Sequence, residues 1–242
     1  MTQAAPRGVL VITGTGTGVG KTVVTAAVAA LAAARGDRVA VVKPAQTGIR
    51  PGDPDPDADV PDIETVTRLS GVTDTHELAR FPDPLSPEAA ARLSGQPPLD
   101  MRAAADYITK LSAERDLVLV EGAGGLLVRY DPAGSTIADL ASALGAPVLT
   151  VAVAGLGTLN HTALTLEALS VRKIISAGVV IGSVPAAPGL AESMNVADLE
   201  VVAGGPLAGA LPENAGSLGR AAFLAAARSG LSPLLGGLSQ MI

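Results

Sequence analysis

At 242 residues and 48% hydrophobic content, the chain is long and apolar enough to bury the core of one α/β domain without metal or disulfide support. With a net charge of −6, two Phe, two Tyr, no Trp and no Cys, it lacks the basic stripe or stacking platforms of a nucleic-acid binder and suits a reducing compartment. No run nears the roughly 20 apolar residues of a membrane span and Met1–Gly8 has no leader-like apolar core, so a cytoplasmic protein without membrane partners is expected.

The first strand is expected at Val9–Thr13. It runs into Gly14-Thr15-Gly16-Thr17-Gly18-Val19-Gly20-Lys21-Thr22 and then a helix over Lys21–Arg35. Strand, glycine-rich turn and helix in that order make a phosphate-binding loop. The glycines let several backbone N–H groups converge on an anion, the helix adds its positive end, Lys21 reaches the outer phosphates and Thr22 offers a hydroxyl to Mg²⁺. Five residues separate Gly14 from Gly20, one more than the usual spacing. That expansion marks one branch of these nucleotide-binding proteins. Partition- and positioning-type ATPases of the branch carry a second lysine where Gly16 stands here, so the chain departs from them.

A second strand over Arg38–Lys43 ends in Lys43-Pro44-Ala45-Gln46-Thr47-Gly48. The chain carries four lysines, Lys21, Lys43, Lys110 and Lys173, against thirteen arginines, and two of the four stand at early strand ends. A compact ammonium suits a crowded phosphate site better than a guanidinium fork. The Pro/Asp-rich stretch Arg50–Pro61 reads as an extended loop. Asp53, Asp55, Asp57 and Glu64 imitate calcium-loop spacing, but Ala58 stands at the glycine position and prolines interrupt the run. Asp62 precedes a helix over Ile63–Leu69, where it can cap the helix or point a carboxylate at the nucleotide edge. His76 in D-T-H-E-L reads as a surface residue at a helix start. Helices follow over Pro87–Ser94 and Asp100–Glu114.

The third strand, Leu117–Val120, ends in Glu121-Gly122-Ala123-Gly124-Gly125. After a helix over Thr136–Leu144, the fourth, Val148–Val153, ends in Gly155-Leu156-Gly157-Thr158-Leu159-Asn160. His161 beside Asn160 fits a substrate contact or a structural role. Helix Leu159–Ser170, strand Gly178–Ile181, helix Leu190–Val202, strand Leu207–Leu211 and helix Ser217–Ala227 complete the chain. Strands alternating with helices, and lacking polar alternation, predict a single α/β domain over residues 1–242. Its fold is of the P-loop nucleotide-binding type, a mostly parallel sheet with helices on both faces. All the strand-end motifs then open on one edge. No His/Cys spacing suits a metal.

The ordered set G-T-G-T-G-V-G-K-T, K-P-A-Q-T-G, D-I-E-T-V-T-R-L-S-G, V-E-G-A-G-G-L-L-V and L-G-T-L-N-H closely resembles the dethiobiotin synthetases, over roughly residues 9–215. The resemblance implies ATP- and Mg²⁺-dependent closure of 7,8-diaminononanoate with CO₂ into a cyclic urea, a step of biotin synthesis, releasing ADP and phosphate in a homodimer with composite active sites. It implies that Lys21 and Lys43 are catalytic and that Thr22, Asp62 and Glu121 serve the metal. Thr17, Gly18, Val19, Gly20, Lys21, Thr22 and Val23 would wrap the nucleotide, with Asp62, Glu121, Gly122, Ala123 and Gly124 along its side. Gly182, Ser183, Pro212, Glu213 and Asn214 fall where the family contacts the base. Gly182-Ser183 replaces an Asn found in some relatives, so other nucleoside triphosphates stay open as substrates. Thr17, Thr47, Thr158, Leu159 and Asn160 would bind substrate, the last three from the neighbouring subunit. The chemistry runs through a carbamate and a carbamic–phosphoric anhydride and needs no protein nucleophile. Two rivals remain: an amidotransferase-type ligase, which usually brings a nucleophilic Cys that is missing here, and a regulatory ATPase, which predicts the lysine absent at Gly16 and leaves K-P-A-Q-T-G unexplained.

Overall fold

The computed structural model describes residues 5–50 and 60–238. The calcium-like Asp53, Asp55 and Asp57 lie outside the described residues. Strands are β1 (Gly8–Gly14), β2 (Val39–Lys43), β3 (Gln46–Thr47), β4 (Thr75–Glu77), β5 (Arg80–Phe81), β6 (Leu117–Gly125), β7 (Val148–Ala152), β8 (Ser176–Val184) and β9 (Gly209–Pro212). Helices are α1 (Lys21–Ala34), α2 (Asp62–Ser70), α3 (Pro87–Ser94), α4 (Met101–Ser112), α5 (Ile137–Leu144), α6 (Thr158–Val171), α7 (Leu190–Ala203) and α8 (Arg220–Gly230). Seven strands form one sheet in the order β4-β2-β6-β1-β7-β8-β9, and every neighbouring pair runs parallel.

The strands are continuous Val/Leu/Ile runs because both of their faces are covered. On one face α1, α2 and α8 pack Val24, Val28, Leu69 and Phe223 against Leu10, Ile12, Leu119 and Val151. On the other, Ile108 of α4, Ile137 and Leu140 of α5 and Leu169 of α6 meet Val11, Val42, Val118 and Val120, with a smaller cluster around Ile181 and Leu199 of α7. Helix α1 is buried nearly all round, and its alanines let the sheet, α2 and α8 approach closely. Residues after β1 move to one side of the sheet and those after β6 to the other, so the order reverses about β1. A crevice opens there at the carboxyl edge.

Expected elements recur with shifted ends, and three differ. His76 lies inside β4, the edge strand, paired with Val42 rather than starting a helix. Backbone pairing to β2 decides its conformation, and its ring bridges Asp74 and Tyr107 (2.8 Å each). The last helix begins at Arg220, after a short 3-10 turn at Ala215–Ser217. Strands β3 and β5 pair as a separate small sheet.

Candidate active site

The glycine-rich loop turns sharply between β1 and α1. Gly20 precedes the helix at φ +93°, a conformation open to glycine. A side chain on Gly182 would strike the Val19 carbonyl, so the end of β8 packs directly on the loop. Thr15 N–H donates to the Val151 carbonyl (2.9 Å), fixing the loop to β7 as well. Lys21 is buried, and its Nζ folds back to the Gly16 carbonyl (2.8 Å). Burial, then repulsion by nearby Lys43, brings its pKa down to about 8.

Opposite it stand the ends of β2 and β6. Lys43, at 4% exposure, donates to Asp62 Oδ2 (2.5 Å), Glu121 Oε1 (2.9 Å) and the Gly122 carbonyl (3.2 Å). Burial opposes its charge, but Glu121 and Asp62 outweigh that and hold the ammonium above the ordinary lysine range. Burial pushes the Asp62 carboxyl up, while Lys43 and Thr22 more than reverse it, so it stays below its usual value. Thr22 Oγ1 lies 3.0 Å from Asp62 Oδ1 and 2.9 Å from Glu121 Oε1, and its single hydrogen serves one of them at a time. The helix before which Asp62 was expected to stand as a cap is capped by Pro61 instead, with no side-chain bond. Asp62 is the first helical residue, and its carboxylate is turned to Lys43 and Thr22. Gln46, to which the sequence motif gave no separate role, secures this arrangement by accepting the Asp62 N–H (3.0 Å).

These groups share a cleft of about 620 Å³. Thr17, Gly18, Gly20, Lys21, Thr22, Val23, Lys43, Thr47, Asp62, Glu121, Ala123 and Gly124 line it, and Ile49, Val60, Pro84, Leu85, Pro87 and Val128 supply an apolar wall. That wall comes from four separated segments, and no local motif announces it. Other expected site residues lie elsewhere. Val19 and Gly182 are buried behind the loop, and Ser183, Pro212, Glu213 and Asn214 are exposed on the rim at the ends of β8 and β9. At the start of α6, Thr158 is buried, Leu159 half-buried and Asn160 exposed, and none of the three lines this cleft. Asn195 of α7 holds the loop before them, donating to the carbonyls of Ala154 (2.8 Å) and Gly155 (3.0 Å).

An anion-binding loop, two ammonium groups and a hydroxyl–carboxylate set in one cleft suit phosphoryl transfer. Residues 8–219 match the family described as AAA domain. The ATP-dependent dethiobiotin synthetase BioD of Parafrankia is 59% identical over 229 residues, covering 95% of this chain and 94% of the relative. That of Frankia casuarinae is 60% identical over 228 residues, covering 94% and 93%. The enzyme of the same name from Streptomyces coelicolor is 56% identical, covering 95% and 94%. Among solved structures, a ParA family ATPase from Chlorobium tepidum superposes with a TM-score of 0.57 at 16% identity, covering 96% of this chain and 98% of the other. The cell division ATPase MinD of Pyrococcus furiosus gives 0.51 at 20%, covering 86% and 84%. Identities that low speak for a shared fold alone, whereas identity above one half across nearly the full length of both chains places this chain in the ATP-dependent dethiobiotin synthetase family.

Proposed function

We propose that the chain closes 7,8-diaminononanoate with CO₂ to dethiobiotin at the expense of ATP, in the cytoplasm, as a step of biotin synthesis. The observation that carries this reading is the convergence of Lys21, Lys43, Asp62 and Glu121 on one cleft that Ile49, Val60, Leu85 and Val128 also line. A carbamate formed from one substrate amine and CO₂ is an anion, which the Lys43 and Lys21 ammonium groups attract. The same charges offset the transferring γ-phosphoryl group, and the loop amides between Thr17 and Val23 hold it in line. The apolar wall accepts the alkyl chain and excludes water from the anhydride before the second amine displaces phosphate and closes the ring.

Thr22, Asp62 and Glu121 fit Mg²⁺. They present hard oxygen donors, and Glu121 Oε2 is buried without a partner. Among the described residues no group of three or more His, Cys, Asp or Glu converges. Two carboxylates and one hydroxyl leave the rest of an octahedral shell to phosphates and water. Bound there, Mg²⁺ would neutralise phosphate charge. Gly182, Ser183, Pro212, Glu213 and Asn214 are assigned to the base.

The substrate carboxylate requires a second anion site. The start of α6 offers free N–H groups and a positive helix end, yet it lies apart from its own cleft. Leu156 in the loop before α6, Leu164 of α6 and Leu190, Met194 and Val201 of α7 are exposed apolar side chains. They support a homodimer in which Thr158–Asn160 completes the partner's site. The reading is tested by phosphate release from Mg·ATP with and without diaminononanoate and bicarbonate. Release that needs both supports it, and turnover indifferent to them would identify a regulatory ATPase instead. Among the described residues no helix is long and apolar enough to cross a membrane.

A further inference from the structure

Tyr130 is the largest side chain fully withdrawn from solvent. A phenol buried among Leu126, Ile137 and Leu140 is costly unless its oxygen is bonded. That oxygen accepts the Ala123 N–H at 2.6 Å. The ring is rooted in a tight turn after β6. Tyr130 N–H donates to the Ser135 carbonyl (2.8 Å), Ser135 N–H to Asp131 Oδ1 (2.9 Å), and Glu88 N–H of α3 to the Arg129 carbonyl (3.2 Å).

The bonded N–H belongs to the peptide unit joining Gly122 and Ala123, and the carbonyl of that same unit accepts from Lys43 Nζ at 3.2 Å. A peptide unit is planar, with N–H and C=O on opposite sides. Tyr130 and Lys43 therefore grip one rigid plate from its two ends. Nothing else holds this plate by ladder bonding. Pairing of β6 with β2 stops at Val42–Val120, and pairing with β1 is interrupted between Ile12 and Gly14, resuming at Gly125. Residues 122–124 thus leave both ladders at the point where they face the cleft.

We propose that Tyr130 is a positioning residue: its hydroxyl fixes the Gly122–Ala123 peptide, and through that peptide's carbonyl it sets the place of the Lys43 ammonium. The inference rests on the reading of Lys43 as catalytic. Without the hydroxyl the plate is free to rotate, the carbonyl leaves Lys43, and the ammonium drifts toward the carboxylates. ATP is held chiefly by the loop between Thr17 and Val23, which this peptide does not form, so its binding should suffer far less than turnover.

The test compares Tyr130→Phe, which removes the oxygen and keeps the ring, with Lys43→Ala in the diaminononanoate-dependent assay. For Tyr130→Phe we expect kcat to fall by about 10- to 100-fold, as misplacement of a catalytic group does, with KM for ATP little changed. A lowered melting temperature with unaltered kcat would show a merely structural hydroxyl and overturn the proposal. Should Lys43→Ala turn over normally, the reading of Lys43 fails; if it is inactive while Tyr130→Phe is unimpaired, the proposal fails on its own. Should Tyr130→Phe not fold, the chain's two tyrosines allow another route. In a Tyr107→Phe background, global fluorotyrosine labelling weakens the acceptor at Tyr130 alone. There kcat must fall while KM for ATP holds, and an unchanged kcat overturns the proposal.

Discussion

Replacing Lys43 by Arg keeps the charge and changes its shape. Lys43 directs three hydrogens at three acceptors, Asp62 Oδ2, Glu121 Oε1 and the Gly122 carbonyl, from one nitrogen lying 2.5, 2.9 and 3.2 Å from them. A guanidinium spreads its donors across a plane and cannot meet three acceptors that converge on a point. The side chain is 5% exposed, so the longer group must displace its neighbours. Overpacking of this kind costs about 1–3 kcal/mol. For a chain of this size that lowers the melting temperature by about 2–4 °C per kcal/mol. A displaced cation beside the migrating phosphoryl group should cost about 100-fold in kcat. Because positive charge is conserved and Lys21 is untouched, KM for ATP should change little. Steady-state phosphate release with a coupled reporter, alongside nucleotide titration, separates the two effects. A Lys43→Arg enzyme with kcat within about threefold of the parent would refute the assignment of Lys43 to the reacting centre.

Asp62→Asn and Glu121→Gln should raise the Mg²⁺ concentration at half-maximal activity; an unchanged titration in both would remove these carboxylates from the metal site. Lys21 supplies a pH signature. Its pKa of about 8 in the free protein must rise when a triphosphate binds, so binding near pH 8.5 takes up protons and affinity weakens as pH climbs past 8. Calorimetry in buffers of different ionisation enthalpy reads that uptake, and a buffer-independent heat would count against it. Asn160→Ala should weaken diaminononanoate binding and spare ATP, and mixing it with Lys43→Ala should restore activity through the heterodimer site free of both lesions. Demonstrated subunit exchange without recovered activity would refute the cross-subunit site. With Gly182-Ser183 on the base side, CTP or GTP should support measurable turnover, which strict ATP dependence under competition would contradict.

What the sequence made legible was what local chemistry writes compactly. The phosphate loop was visible because its glycines, Lys21 and Thr22 are contiguous, and the parallel sheet because strands covered on both faces become apolar runs. Lys43 and Glu121 stood out as charged residues at the ends of such runs. Long-range pairing was not legible. Strands β3, β4 and β5 have two or three residues, too few for a period, and exist because β2 and one another offer backbone partners. Asp62 sat where a cap would sit, and only the approach of β2 reveals that its carboxylate serves Lys43. Gln46, Tyr130 and Asn195 act through hydrogen bonds to backbone atoms of distant or irregular segments, which leave no local pattern. The apolar wall of Ile49, Val60, Leu85 and Val128 is likewise assembled by folding.

The most direct measurement follows labelled carbon. Purified protein supplied with Mg·ATP, 7,8-diaminononanoate and ¹³C-bicarbonate should yield dethiobiotin carrying the label in its ureido carbonyl, with one phosphate released for each ring closed. Phosphate released without labelled dethiobiotin, or no turnover on the diamine at all, would contradict the account.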